Sequence, residues 1–223
     1  EVKNAYDAYE KILAYDPFSV NDFLKAHELL TQGLVGQSGR FRSKDVGIYN
    51  SQGEVIHVGA RPQFVSGLVT DLFKWAKTDE TPLLIKSAVV HYEIEMIHPF
   101  EDGNGRIGRL WQSVLLSHWN SLFAWLPVET MVHDYQMQYY EKLRAADKAN
   151  SSTVFIEFML KMILATIQKL HIPRIAQTES DKMSDKLSDK EREVYAVVKQ
   201  HLGKHSSITA AVVQSVTGLS AAT

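Results

Sequence analysis

The stretch His98 to Arg109, HPFEDGNGRIGR, combines residue types that suit the transfer of a phosphate-containing group. Its residues 101–105, the glycine loop, hold Gly103 and Gly105, which let a backbone curl around an anion. A loop that enters a helix offers unpaired N–H groups and a partial positive charge. If a helix begins near Gly105, Arg106 and Arg109 share one of its faces and could hold a polyphosphate.

Glu101 and Asp102 open this loop with negative charge, which a plain phosphate site would repel. Mg²⁺ bridging phosphate oxygens takes one or two carboxylates plus water, so Asp102 predicts a magnesium–nucleotide site. His98 adds a base that titrates near neutral pH and could take a proton from an attacking hydroxyl. Base, metal ligand and phosphate loop together indicate phosphoryl or nucleotidyl transfer to a hydroxyl.

Two other interpretations use the same letters. Residues 103–108 match the dinucleotide fingerprint G-x-G-x-x-G, but the preceding element has a helical pattern and the chain lacks βαβ alternation, so we reject it. No Walker-type G-x-x-x-x-G-K-[ST] is present. The remaining alternative is a helix-capping loop with incidental charges.

Composition limits the classes of protein. The 223 residues suffice for one large domain, with or without a small appendage, and 45% apolar residues suffice for a core. A net charge of −2 gives no global basic field for nucleic acid, and the absence of cysteine excludes disulfides and thiolate metal sites. We find no membrane-length apolar run and no signal peptide, and expect a cytoplasmic protein. The opening EVKNAYDAYE lacks methionine, so we expect residues upstream of Glu1.

Hydrophobic periodicity predicts a mainly helical domain. The expected helices span residues 2–15, 19–34, 61–78, 82–97, 106–120 and 153–170. Two β-prone runs flank the turn signal NSQG and predict a hairpin at Val46–Val58. Ser19 or Asn21 is the expected cap of the second helix. Because Pro99 disfavours helical backbone in the residue before it, we expect a helix to end at His98.

The character of the chain changes after Ile172. The repeat SDKMSDKLSDK reads as a solvated linker, and SDKE fits a helix capping box. We predict a first domain at 1–175, a linker at 176–190 and a partial helix-turn-helix, or winged-helix-like, module at 191–223. Residues 178–223 carry six acidic and six Lys or Arg residues, so the electrostatic footprint of a DNA-binding module is absent.

The signature stretch resembles that of the Fic (filamentation induced by cAMP) family, His-Pro-Phe-x-[Asp/Glu]-Gly-Asn-Gly-Arg-x-x-Arg. Every specified position is matched. The hairpin and the helix after it are similar to the family's flap region, and the resemblance covers residues 1 to about 172. It implies a mainly α Fic-type helical bundle with one β-hairpin flap, and C-terminal winged-helix attachments are common in the family.

The resemblance also implies roles for individual residues. His98 would be the general base, Phe100 would anchor the loop in the core, and Asp102 would hold Mg²⁺. The implied nucleotide-binding residues are Gly103, Asn104 and Gly105 around phosphate, Arg106 and Arg109 on the outer phosphates, and Tyr139 and Tyr140 at adenine. The hairpin would dock a target protein by β-augmentation.

The activity implied by the resemblance is AMP transfer from ATP to a Ser, Thr or Tyr hydroxyl of a target protein. The reverse reaction and transfer from another nucleotide remain alternatives, as does a DNA-binding regulator with a nucleotide-sensing core. Homodimers are common in the family. Its inhibitory motif, [Ser/Thr]-x-x-x-Glu-[Gly/Asn], is not found in the sequence. We expect this motif upstream of Glu1, which would leave Arg109 unblocked.

The other histidines and the tryptophans receive ordinary roles. His91 and His98 lie seven residues apart, but no third metal ligand is evident. Surface or core positions are expected for His27, His57, His118, His133, His171, His201 and His205. The expected core tryptophans are Trp75, Trp111, Trp119 and Trp125.

Overall fold

The structure is a computed structural model that describes residues 1–49, 55–125 and 128–169. The predicted linker and helix-turn-helix module at 176–223 lie outside the described residues, so the predicted domain boundaries stay predictions. Within the described ranges the chain is mainly α-helical with one β-hairpin, which confirms the predicted fold class. The described helices are all too short or too polar to cross a membrane.

The described elements follow one another in a simple order. The α-helices are α1 (Val2–Tyr9), α2 (Val20–Thr31), α3 (Pro62–Thr78), α4 (Leu83–Ile97), α5 (Asn104–Trp119), α6 (Val128–Asp134), α7 (Gln136–Ala149) and α8 (Thr153–Lys169). Strands β1 (Gly47–Tyr49) and β2 (Val55–Val58) lie between α2 and α3, and a short 3₁₀ helix, Ser121–Ala124, follows α5.

The ends of α2 and α1 differ in how well the sequence predicted them. Ser19 caps α2, since its side chain accepts a hydrogen bond from the Asp22 N–H at 3.2 Å. The expected first helix, 2–15, is too long, because α1 ends at Tyr9 and the chain continues in turns with bonds such as Ile12 N–H to Tyr9 O at 3.1 Å. These tighter turns bury Ile12 and Tyr15.

Helices α4 and α5 form the most extensively packed pair and supply the centre of the core. Residues on all sides of α4 are buried, which explains its lack of an amphipathic pattern. On α5, Trp111 is fully buried, stacks on Phe73 with ring centroids 5.7 Å apart and meets Phe23 edge-on at 5.1 Å. Its indole N–H donates to Pro17 O at 3.1 Å, so its polar atom is satisfied as well.

The hairpin is antiparallel, with Gly47 opposite Val58 and Ile48 opposite His57, and its register shifts between Ile48 and Tyr49. Its turn lies outside the described residues. The predicted hairpin bounds, Val46 to Val58, therefore agree with the observed strands.

The chain divides into two compact units, Glu1–Ile156 and Glu157–Thr223. The first contains α1 to α7, the hairpin and the residues discussed below, while the described part of the second continues α8 through Lys169. Helices α6 and α7 were not among the expected helices. The expectation of a buried Trp125 was wrong, because this side chain is 87% exposed where the 3₁₀ helix ends.

Candidate active site

The site begins where α4 ends. His98 is its C-cap and adopts a left-handed conformation, φ 51° and ψ 62°, which turns the chain sharply before Pro99. The predicted helix end at His98 is confirmed. A left-handed C-cap is a common helix terminus, but it is uncommon outside glycine and asparagine. The surrounding contacts must therefore hold His98 in this conformation.

Hydrogen bonding sets the tautomer of His98. Its Nδ1 lies 3.3 Å from the Glu95 carbonyl oxygen, which can only accept, so Nδ1 carries the proton and Nε2 keeps a lone pair. Burial lowers the pKa of His98 below its ordinary value of 6.5, although Glu95 acts in the opposite direction. At neutral pH the half-buried imidazole is a neutral base.

The glycine loop is closed by its own side chains. Gly103 is the N-cap of α5 with φ 84°, a conformation that favours glycine. The Asn104 amide donates to Phe100 O at 2.9 Å and accepts from Phe100 N–H at 2.8 Å. Asn104 is 2% exposed, so its side chain braces the loop and only its backbone N–H remains for an anion. The fully buried Phe100 ring roots this loop in the core.

The start of α5 has the features of an anion site. The first N–H groups of a helix, here those of Asn104, Gly105 and Arg106, have no partner inside the helix. Both arginines lie beside the loop: Arg106 Nη2 is 3.7 Å from Asp102 Oδ2, and Arg109 Nη1 is 3.0 Å from the place of a Cβ on Gly105. Helix dipole and guanidinium groups therefore meet at one point.

Each arginine also contacts a carboxylate outside the loop. Arg106 Nη1 lies 3.3 Å from the Glu1 carboxylate. Arg109 Nε donates to Glu129 Oε2 of α6 at 2.5 Å. Burial disfavours the charge of Arg109, but Glu129 outweighs it and raises the pKa of Arg109. Arg109 thus stays charged although its side chain is mostly buried.

Asp102 suits the role of a magnesium ligand through its exposure. Its Oδ1 accepts from the Gly103 N–H at 2.6 Å, while the side chain is 69% exposed beside the start of α5. No group of three or more metal-binding side chains occurs among residues 1–49, 55–125 and 128–169. A single open carboxylate next to a phosphate site is what Mg²⁺ needs when phosphates and water complete its shell.

His27 supports the loop from beneath. Its ring stacks on Phe100 at 3.6 Å with an interplanar angle of 4°. Because Nδ1 accepts from Gly39 N–H at 3.0 Å, Nε2 carries the proton and donates to Asp102 O at 3.0 Å. Burial lowers the pKa of His27 to about 4, despite the opposing hydrogen bond to Asp102. His27 is therefore neutral near pH 7 and fixes the backbone of Asp102.

A buried polar chain runs behind the site. His91 Nδ1 and Gln112 Oε1 lie 2.6 Å apart, and His91 Nε2 lies 3.0 Å from the Tyr139 hydroxyl oxygen. The Tyr139 hydroxyl donates its single proton to Glu95 Oε1 at 3.3 Å. Burial raises the pKa of the Glu95 carboxyl, but His91, Arg109 and His98 outweigh it and hold the pKa below its ordinary value. This network of buried polar side chains thus keeps the carboxylate of Glu95 beneath the glycine loop.

The two tyrosines predicted at adenine are placed differently. Tyr139 is 1% exposed and its hydroxyl belongs to the buried chain, while burial raises its pKa well above the ordinary value. Tyr140 is 48% exposed and meets Tyr139 edge-on, with centroids 5.2 Å apart. Of the two, Tyr140 has the ring that a ligand could reach.

Four residues that contact this site were missed from the sequence. They are His27, Arg42, Glu95 and Glu129. Glu95 precedes His98 by three residues, so helical spacing could have indicated it. The other three reach the site only through tertiary packing, since they lie on α2, on the segment before β1 and on α6.

The amino-acid sequence of the chain is similar to one protein-family model and to several named proteins. Residues 17–116 match the model of the Fic/DOC family. Protein adenylyltransferase fic-1 of Caenorhabditis elegans is 30% identical over 160 residues, covering 70% of this chain and 29% of the relative. Protein adenylyltransferase Fic of Culex quinquefasciatus is 27% identical over 192 residues, covering 78% and 36%. The chain thus spans about a third of these relatives.

Solved structures agree in fold. A crystal structure of a Fic family protein from Desulfovibrio desulfuricans G20 aligns with a TM-score of 0.71 and 35% identity, covering 98% of this chain and 62% of that one. Residues 134–508 of Fic-1 from Caenorhabditis elegans align with a TM-score of 0.57 at 24% identity, covering 76% and 49%. The second likeness concerns the fold alone.

Gly103→Ala should damage the loop, because an alanine Cβ would lie 2.8 Å from Thr31 Cγ2 on a backbone with φ 84°. We expect a loss of about 1–3 kcal/mol in the free energy of unfolding, measured by urea denaturation. Gly67→Ala is the matched control, since nothing lies within 4 Å of its Cβ on α3. It should stabilise by about 0.5–1 kcal/mol. Equal effects of the two changes would contradict the assigned strain.

His27 should make stability depend on acid. Its pKa is about 4 when folded and ordinarily 6.5, so the unfolded chain binds more protons between these values. Stability from this group is complete above pH 6.5 and is lost as pH falls toward about 4, amounting to about 3 kcal/mol. Urea unfolding at several pH values should show a flatter dependence for His27→Gln than for the unchanged protein. Parallel curves would refute the assignment.

Proposed function

The chain belongs to the Fic/DOC family, and from that premise we propose that it transfers AMP from ATP to a hydroxyl side chain of a target protein, releasing pyrophosphate. One observation carries the proposal. A neutral histidine with a free Nε2 is followed, five residues on, by a helix N-terminus with two arginines beside it. A site that only sensed a nucleotide would need no base.

His98 acts as general base in this proposal. Its Nε2 takes the proton of a Ser, Thr or Tyr hydroxyl while that oxygen forms a bond to the α-phosphorus of ATP. The bond from the α-phosphorus to its bridging oxygen breaks, and pyrophosphate leaves. The Nδ1–H bond to Glu95 O orients the ring and stabilises the imidazolium that forms.

The loop and helix α5 hold the phosphates. Backbone N–H groups of Asn104 and Gly105 cradle them, while Gly103 turns the backbone of the loop and its own N–H donates to Asp102 Oδ1. Arg106 and Arg109 bind the outer phosphates through their terminal nitrogens. Glu129 holds only Nε of Arg109, which supports a role in aiming its remaining donors. Asp102 is the ligand for Mg²⁺, which when bound would neutralise charge on the phosphate oxygens.

The hairpin flap and the exposed tyrosine are the proposed contacts for the target protein and for adenine. Two described strands form the hairpin, and a target segment adding to its edge would be positioned through its backbone, so the sequence around the hydroxyl would matter little. Tyr140, rather than the buried Tyr139, lines the adenine pocket, because only its ring is substantially exposed. A homodimer remains a prediction.

Label transfer tests the activity directly. With Mg²⁺ and ATP labelled at the α-phosphate, we expect label on protein in a cell lysate, and we expect His98→Ala to reduce it by at least about 100-fold. His133→Ala is the matched control, because its side chain is 88% exposed outside the site. It should label as the unchanged protein does.

The other outcomes are equally informative. Label from the γ-phosphate would indicate a kinase. No label from either position, with ATP still bound, would refute AMP transfer from ATP as stated. Equal labelling by His98→Ala would remove the histidine from the mechanism.

The pH dependence of AMP transfer should reflect the pKa of His98, which its surroundings set. Burial lowers its pKa most, Glu95 of α4 raises it, His57 of β2 and Arg42 lower it further, and the net pKa lies below 6.5. Since the base works only when neutral, transfer should persist as pH falls toward 6.5 and fail below the lowered pKa. An NMR titration of the imidazole, assigned with His98→Gln, measures this pKa. A midpoint above 6.5 would contradict the described burial.

A further inference from the structure

We propose that Arg42 is a positioning residue, whose guanidinium holds His98 in its left-handed conformation and fixes both roots of the hairpin against the end of α4. The effect of Arg42 on catalysis rests on the proposed function, whereas its structural role at the end of α4 does not. Arg42 lies on the segment before β1 and is 2% exposed.

Within the described residues, the hydrogen bonds of the guanidinium all go to backbone carbonyls. Nε donates to His98 O at 2.6 Å, and Nη1 donates to Lys44 O at 2.7 Å. Nη2 donates to Ala60 O and, at 3.3 Å, to Ile97 O. The Arg42 backbone N–H adds a bond to Pro99 O at 3.0 Å.

A buried cation without a carboxylate needs a physical reason. No described residue provides a carboxylate within 4.0 Å of Arg42. The end of a helix bears partial negative charge on its carbonyls, and two of the four guanidinium hydrogen bonds, those to Ile97 O and His98 O, go to this end. Burial lowers the pKa of Arg42 and the nearby Asp45 carboxylate opposes this effect, so the guanidinium stays charged. The end of α4 and the Lys44 and Ala60 carbonyls therefore supply the hydrogen-bond acceptors that a directly bonded carboxylate would otherwise provide.

The contacts join three segments. Lys44 precedes β1, Ala60 follows β2, and His98 is the proposed base, so one side chain relates the hairpin to the imidazole. The approach is close: a Cβ on Gly59 would lie 2.9 Å from Arg42 Nη2 and 3.0 Å from His98 Cβ. A target strand bound at the hairpin would thereby meet His98 in a fixed geometry.

Arg42 makes none of its hydrogen bonds to the glycine loop, Arg106 or Arg109. Loss of the hydrogen bonds made by the planar guanidinium should therefore lower the rate of the chemical step more than the affinity for ATP. Lysine keeps the charge but has no planar fork, so Arg42→Lys separates geometry from charge. Arg61→Lys is the matched control, since Arg61 is exposed and lines, together with Arg42, a surface cleft beside the start of α3.

Steady-state AMP transfer is the first test. For Arg42→Lys we expect kcat at saturating ATP and target to fall at least about tenfold, because small misplacements of reacting groups are costly. The KM for ATP should change less than about threefold, and Arg61→Lys should stay within about twofold in both constants. Millimolar guanidinium ion should partly restore kcat of Arg42→Ala. An unchanged kcat, or a loss confined to the KM for ATP, would overturn the proposal.

Two readouts are independent of activity, so failure of the proposed function leaves them decisive. By ¹⁵N NMR, His98 should be the Nδ1–H tautomer in the unchanged protein and a mixture in Arg42→Lys; an unaltered tautomer would overturn the proposal. If that variant fails to fold, native-state hydrogen exchange of the unchanged protein decides. The amides of Arg42, Ala60 and His98 should open together, whereas free exchange of Ala60 with His98 still protected would refute the clamp.

Discussion

The carbonyl groups at the C-terminal end of α4 are the constraint on which the candidate site depends. A helix leaves its last carbonyls without partners, and here the end is buried, so every one needs a donor. Ile97 O takes the Ala60 N–H at 3.2 Å, Met96 O takes His57 Nε2 at 2.8 Å, and Arg42 donates to His98 O. The same hydrogen bonds that satisfy the carbonyls at the end of α4 thus also position His98 and the hairpin.

The glycine loop follows from that turn. Once His98 reverses the chain, Phe100 enters the core, and Asn104 closes the loop by pairing both backbone groups of Phe100. His27 covers Phe100 and holds the loop backbone from α2. A loop braced in this way presents its N–H groups without reorganisation, which is the condition for strong electrostatic stabilisation of phosphate.

Charge is arranged in layers around this loop. A buried carboxylate, Glu95, lies beneath it, and its field favours the positive charges of Arg109 and of His98 when that ring takes a proton. Glu129 does the same for Arg109 from α6. In the proposed reaction the base would gain a proton within a field that already favours it, while burial keeps it neutral beforehand.

The sequence by itself determined the helical class, the hairpin and the end of α4, and it marked the stretch from His98 to Arg109 as the candidate site. These are local matters of periodicity, turn chemistry and one contiguous motif, so neighbouring letters suffice. It did not determine which of Tyr139 and Tyr140 is exposed, nor that Arg42 serves the end of a helix more than fifty residues later. Both depend on tertiary packing, which decides how exposed each tyrosine ring is. Packing also decides which donors from distant parts of the chain reach the buried carbonyls.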